Sequence, residues 1–318
     1  MLSLHTEALV LRAVDFGESD RIVHLLTPAA GRLPAIAKGA RRSRRRFPGT
    51  LDLFNQLSVH VERRKPAALA RLEGARLLRT FEAIRAGAPR FALGCYLLEL
   101  LDRLAPEGGA PDDLARLFAF AHAALDWLDR EPPTQRMRVL LELRALDALG
   151  LRPGLLACVR CGRAVTAERA RGGAAPVPHG GTAPVPHRGT APVPFAIGEG
   201  GPLCAACAAT GIEGAWLPIH LGTLRALDRA LQFPFAQLGR LALGGDALAE
   251  AQRLVTRFLG FHVGVELQSR RILDEQLTLP GGEGKLPPPR QATGGARGRA
   301  PQSEPRAREG GDVGSERS

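Results

Sequence analysis

Two short cysteine pairs, Cys158-Val159-Arg160-Cys161 and Cys204-Ala205-Ala206-Cys207, constrain this chain more than any other stretch. Two thiolates with two residues between them can aim at one ion from a tight knuckle, and two such knuckles complete a tetrahedron. Gly162, Gly200 and Gly201 supply the backbone freedom that knuckles need. Four thiolates leave no open coordination position, so the expected ion is a structural Zn2+ held by Cys158, Cys161, Cys204 and Cys207. A redox role is the alternative for one such pair, and two matched pairs argue against it. The fold must therefore bring together segments with 42 residues between them, which is long for a zinc ribbon. Ala-Pro-Val-Pro recurs from Ala175, Ala183 and Ala191, with His179 and His187 at equivalent places. This Pro/Gly tract without apolar periodicity reads as a flexible insertion over 172–194, inside a module spanning 155–210. Repeat duplication explains the two histidines better than ligation does.

Around the module the chain reads as helical. Phe81, Ile84, Phe91, Cys95, Leu98, Leu101 and Leu104 recur at helical spacing, with Cys95 as a small core residue. Pro111-Asp112-Asp113 opens a second helix, with proline and acids in its first turn. Thr134 to Leu149 forms a third, capped by Gly150, and His220–Leu231, Asp246–Val265 and Glu266–Leu277 complete the set. An all-helical domain carrying the zinc module is expected over 80–279. Residues 280–318 are rich in Gly, Pro, Arg and Glu and read as a disordered tail.

Residues 1–79 follow another rhythm. Thr6–Val14, Arg21–Thr27, Arg32–Lys38, Leu51–Arg63 and Leu69–Leu78 read as five short strands separated by turn signals. That count predicts a five-stranded oligonucleotide-binding (OB-fold) barrel and an α+β multidomain chain. Charge singles out the same region. Its 15 Lys and Arg against 7 Asp and Glu give +8 of the chain's net +11. The densest part is Lys38-Gly39-Ala40-Arg41-Arg42-Ser43-Arg44-Arg45-Arg46, six cations in nine residues between apolar flanks. Guanidinium groups on a rigid support can each grip a phosphate in two places. Lys38, Arg41, Arg42, Arg44, Arg45 and Arg46, helped by Arg12, Arg63, Arg64 and Lys65, are therefore the expected binders of a nucleic-acid backbone. Phe16, Phe47 and Phe54 are the local aromatics, expected in the core rather than as stacking platforms.

A metal-dependent nuclease needs clustered carboxylates, and only Asp15, Glu18 and Asp20 offer a tight group; their turn context favours solvation or pairing at strand ends, so no enzyme is expected. A zinc-containing RNA-binding or ribosome-associated factor is compatible with the charge. No apolar run approaches the roughly 18 residues of a membrane span, and Met1–Glu7 lacks the pattern of a secretory signal, so a cytoplasmic protein is expected, nucleoid-associated if it binds DNA.

The pieces together resemble the bacterial RecO family of DNA-repair proteins. The resemblance is carried by Gly17-Glu18-Ser19-Asp20-Arg21-Ile22-Val23, by Ala37-Lys38-Gly39-Ala40-Arg41-Arg42, and by Leu140–Gly150 leading through Leu151-Arg152-Pro153 to Cys158. Phe195, Gly200-Gly201 and Cys204 to Cys207 continue it, and Phe258, His262-Val263-Gly264 and Ser269-Arg270-Arg271-Ile272-Leu273 close it. It covers about residues 1–278; the insertion and the tail depart from the pattern. The resemblance implies a non-enzymatic recombination mediator of the RecF pathway. Such a protein binds single- and double-stranded DNA and anneals complementary strands. It works with RecR, often with RecF, and with the acidic C-terminal tail of single-strand DNA-binding protein, so that RecA replaces that protein.

Overall fold

The computed structural model describes residues 2–43, 45–63, 69–166, 191–264 and 266–278. Five strands occupy the first 80 residues: β1 (Leu2–Phe16), β2 (Asp20–Thr27), β3 (Gly31–Ala37), β4 (Asn55–Arg63) and β5 (Ala70–Thr80). β1 is long enough to serve two neighbours. Its first half pairs antiparallel with β4, from Leu2↔Arg63 to Leu9↔Gln56, and its second half with β2, from Leu9↔Leu26 to Phe16↔Asp20. An irregularity between Val10 and Arg12 bends the strand between these duties. β2 pairs with β3 and β4 with β5, both antiparallel.

Period-two patterning gives this sheet two buried faces. Val10, Val23, Leu25, Leu33, Leu57, Val59, Val61 and Leu72 turn inward and form a core of their own, plugged by Phe47 and Leu51 from the β3–β4 connection. Leu9, Leu11 and Leu26 turn outward into the core of the helices. Fully burying a leucine contributes about 1.5–3 kcal/mol.

The expectation of a five-stranded OB-fold barrel is corrected at one seam. β3 and β5 meet in parallel over two residue pairs, Ala35↔Ala70 and Ile36↔Arg71. The sheet is thus a curled ribbon whose ends touch briefly, not a barrel closed along its length. Pro34, immediately before the contact, has no N–H to give to a ladder, and β3 leaves the sheet at Ala37, just beyond it.

The rest is mainly helical: α1 (Glu82–Arg85), α2 (Ala88–Leu104), α3 (Pro111–Arg130) and α4 (Gln135–Ala148), then α5 (Ala205–Ala208), α6 (Leu221–Gln232), a 3-10 turn at Phe235–Arg240, α7 (Gly245–Val263) and α8 (Ser269–Thr278). Thr134 caps α4 by accepting from the Met137 N–H at 3.1 Å, and Gly264, with φ 61°, ends α7 in the left-handed region. The expectation of an all-helical domain also needs correction. β6 (Val193–Ala196), β7 (Gly201–Pro202) and β8 (Trp216–Ile219) form a three-stranded antiparallel sheet in the order β7-β6-β8. Strands of two to four residues leave no readable period. Residues 167–190, which include most of the insertion with His179 and His187, and the tail 280–318 lie outside the described residues.

Polar contacts join sheet to helices. Asp102 of α2 receives the His24 Nδ1 at 2.6 Å and Arg32 at 3.6 Å, and the Arg32 backbone N–H donates to the Pro106 carbonyl at 2.8 Å. Within the helices, Arg138 is 2% exposed, held by Glu142 at 3.0 Å and by Asp274 of α8. Glu99 of α2 accepts from the Gln268 and Ser269 backbone N–H groups at 2.9 and 2.8 Å and so caps α8. Among the described residues no helix is long and apolar enough to cross a membrane.

Candidate nucleic-acid interface and cysteine centre

The basic loop leaves β3 at Ala37 and is fixed at both ends. Phe47, 4% exposed, and Leu51 sink into the inner core of the sheet, and the Ala75 N–H of β5 donates to the Arg46 carbonyl at 3.2 Å. At the start, Asp20 receives the Lys38 ammonium at 2.7 Å and the Gly39 backbone N–H at 2.8 Å. Lys38 beside it, with the Gly39 N–H, holds the Asp20 carboxyl below its ordinary range. Gly39 has φ 66°, a conformation that favours glycine. Arg41 lies 3.4 Å from Asp15, and Arg46 donates to the Lys38 carbonyl at 2.6 Å while its guanidinium covers the Phe47 ring.

Asp15 and Asp20, at the ends of β1 and β2, are therefore moorings of the basic loop. Asp15 pairs with Arg21 at 2.9 Å as well as with Arg41, and Glu18 reaches Arg42 at 4.0 Å. Carboxylates neutralised by fixed guanidinium and ammonium groups are poor candidates for a hard-cation site. Arg42 and Arg45 stay exposed to solvent. Arg12 is exposed on β1 opposite His24, where its charge also acts on Asp102, and Arg63 ends β4 opposite Leu2; Arg44, Arg64 and Lys65 lie outside the described residues. Arg76, next to the Ala75 that anchors the loop, is a further exposed cation of the sheet that the sequence did not single out.

The second feature is the cysteine centre. Cys158, Cys161, Cys204 and Cys207 converge so that their sulfurs all lie within 4.8 Å of one another. Cys161 and Cys204 sulfurs are 3.7 Å apart, close to the roughly 3.8 Å edge of a tetrahedron with Zn–S bonds of about 2.3 Å. The Gly162 N–H closes the first knuckle on the Cys158 carbonyl at 2.8 Å, with Gly162 at φ 72°. The Ala208 N–H closes the second on the Cys204 carbonyl at 2.9 Å. Burial raises the Cys158 thiol pKa, but backbone N–H groups of Cys204, Cys161 and Arg160 outweigh this and bring it down to about 6. Hydrogen bonding with Cys161 and Cys204 pushes Cys207 up to about 12. The four sulfurs are close enough to share one metal ion, and the donor set fits a soft or borderline metal.

Arg160, inside the first pair, ties the halves together. It meets Glu199 through two contacts of 2.7 Å and donates to the Cys207 carbonyl at 3.0 Å and the Thr210 hydroxyl at 2.9 Å. Sequence reasoning missed this clasp, because nothing about Glu199 alone marks it as Arg160's partner.

The chain matches the family models "Recombination protein O N terminal" over residues 1–81 and "Recombination protein O C terminal" over residues 86–271. A DNA repair protein RecO of Anaeromyxobacter sp. (strain K) is 41% identical over 267 residues, covering 84% of this chain and 94% of the relative. The RecO protein of Geobacter sulfurreducens is 32% identical over 278 residues, 87% of this chain and 100% of the relative. That of Myxococcus xanthus is 32% identical over 264 residues, 83% and 93%. The comparisons give no support to the RNA-binding alternative. The fixed basic loop, the four-cysteine centre and matches to both halves of one family lead to the same conclusion: this chain belongs to the RecO family, whose members are non-catalytic mediators of DNA repair and recombination.

Proposed function

We propose that the chain binds single- and double-stranded DNA through Lys38, Arg41, Arg42, Arg44, Arg45 and Arg46, assisted by Arg12, Arg63, Arg64 and Lys65, and anneals complementary strands. The observation that carries this is the mooring of the loop: Phe47, Leu51 and Asp20 fix its ends, and Arg41, Arg42, Arg45 and Arg46 are exposed on it. Two strands held on such a surface repel each other less and can pair. Sequence is not read, because phosphate contacts position a strand without specifying it.

In this proposal residues 1–79 handle DNA, and residues 80–279 supply the helical body that docks proteins. The partners are RecR, RecF where it takes part, and the acidic tail of single-strand DNA-binding protein; the outcome is RecA replacing that protein on the strand. The setting is the cytoplasm, at the nucleoid. Cys158, Cys161, Cys204 and Cys207 hold one Zn2+, which ties the two knuckles together and so contributes to folding.

The test is a pull-down of full-length chain with single-strand DNA-binding protein, with and without its tail, beside an annealing assay on complementary oligonucleotides. Capture that depends on the tail, with annealing that a loop-alanine variant loses, is expected; annealing unchanged in that variant refutes the loop assignment. For the metal, one zinc per chain is expected with all four thiols reduced, and Cys158→Ser should lose it.

A further inference from the structure

Phe16 is the phenylalanine of the N-terminal sheet that the core leaves out. It is 50% exposed at the end of β1, whereas Phe47 and Phe54 are buried. Beyond the irregularity at Val10/Arg12, Ala13 packs on the inner core, so alternation turns Arg12, Val14 and Phe16 to the outer face. Register carries that face across the sheet: Val14 stands opposite Ile22, Ile22 opposite Ile36, and Ile36 opposite Arg71. Val14 is 44% exposed and the two isoleucines are half-buried, so an apolar stripe crosses three strands in contact with water.

Cations frame the stripe. Arg12 stands beside Val14 on its own strand, Arg71, paired with Glu73 at 2.8 Å, closes the far end, and Asp20, opposite Phe16, holds Lys38 at 2.7 Å. A flat apolar strip with a free ring, edged by cations, suits a polymer with apolar flat faces and a line of phosphates. Only an unpaired strand presents those faces; a duplex stacks them on one another.

Building on the DNA-binding function proposed above, we infer that Phe16 and the Val14–Ile22–Ile36 stripe stack the bases of unpaired DNA, while the neighbouring loop holds its phosphates. The stripe gives the surface a preference for unpaired strands that cations alone do not provide. Pairing with an incoming complement removes the bases from the stripe, so the duplex product keeps only its phosphate contacts and leaves more readily.

Fluorescence anisotropy of the full-length chain with labelled oligothymidylate, an abasic strand of equal length and a duplex tests this. Phe16→Ala should weaken oligothymidylate binding about tenfold, equivalent to ~1.4 kcal/mol, and leave the abasic strand and the duplex unchanged. Phe16→Tyr, which keeps the ring, should bind like the parent. Unchanged oligothymidylate binding by Phe16→Ala overturns the inference, as does an equal loss on the abasic strand, which would make the ring a support for the loop. Intact DNA binding with loss of a protein partner overturns it in favour of protein docking. If the parent chain binds none of the three ligands in a salt-dependent way, the DNA-binding proposal itself fails, and that result is distinct from a failure of stacking alone.

Discussion

Replacing Arg42 and Arg45 together by alanine removes two loop guanidiniums that the protein itself engages least. Arg42 is 74% exposed and reaches Glu18 only at 4.0 Å; Arg45 is exposed and makes no ion pair among the described residues. Lys38, Arg41 and Arg46, by contrast, also hold the loop in shape through Asp20, Asp15 and the Lys38 carbonyl. Each lost phosphate contact lowers the slope of log affinity against log salt by about 0.7 on a single strand, so the pair should lower it by about 1.4. Between about 50 and about 200 mM salt, the parent's affinity should fall ~7-fold further than the variant's. Anisotropy titrations at four or more salt concentrations measure this. Folding stability should be unchanged, because both side chains lie in solvent. Arg116→Ala with Arg130→Ala on α3 is the control: both residues are exposed, and the pair changes net charge equally. A parent-like slope in the loop variant, or an equal drop in the control, would refute the phosphate grip and leave net charge as the whole effect.

Gly31 has φ 64°, and a Cβ there would meet the Pro106 carbonyl oxygen at 2.3 Å, whereas Gly17, with φ 58°, has no atom within 4 Å of such a Cβ. In urea unfolding, Gly31→Ala should cost ~3 kcal/mol and Gly17→Ala ~1 kcal/mol, separating collision from backbone strain. Phe47→Ala should cost about 3 kcal/mol through the cavity it leaves, and should also weaken DNA binding, because the loop loses its plug. Burial by itself would push Glu250 up, but the Thr223 hydroxyl and the His220 ring and backbone nitrogens hold it below its ordinary 4.5. A carboxylate with a depressed folded pKa contributes stability that is fully present above the unfolded value and lost as pH falls through the folded one. Glu250→Gln should therefore flatten the decline in stability below about pH 4.5, as measured by denaturation across pH.

The elements most visible in the sequence are those whose period repeats. Leu57, Val59 and Val61 mark β4, and Leu114, Leu117, Ala121 and Leu125 mark α3, because each series continues long enough to show a face. β4 begins at Asn55 rather than Leu51, since Leu51 plugs the inner core and Phe54 takes φ 64°, a local sacrifice that no propensity signals. β6 was hidden for another reason. Its Val193 and Pro194 belong to the third Ala-Pro-Val-Pro repeat, and four residues cannot outweigh a repeat pattern. The cysteine pairs were legible because metal ligation fixes spacing. Asp15 and Asp20 gave only their charge: that they moor the basic loop depends on β2 and β3 lying side by side, which is a tertiary fact. Phe16 was expected in the core with the other phenylalanines, but the bulge in β1 sets which way it points.

Glu99 caps a helix whose first residue, Ser269, lies 170 positions further along the chain. At a synthesis rate of about 5–20 residues per second, the carboxylate waits ~10–35 s for its partner, and Arg138 likewise waits for Asp274. The N-terminal sheet has no such delay, since all five of its strands have been made by Thr80. On the ribosome the chain therefore passes through a state with its sheet assembled and the α8 seat on α2 still vacant, leaving apolar surface uncovered until Leu267 and Leu273 arrive. Throughout that interval the nascent protein stays open to chaperone capture or misassociation, and a pause in translation after α7 would lengthen it.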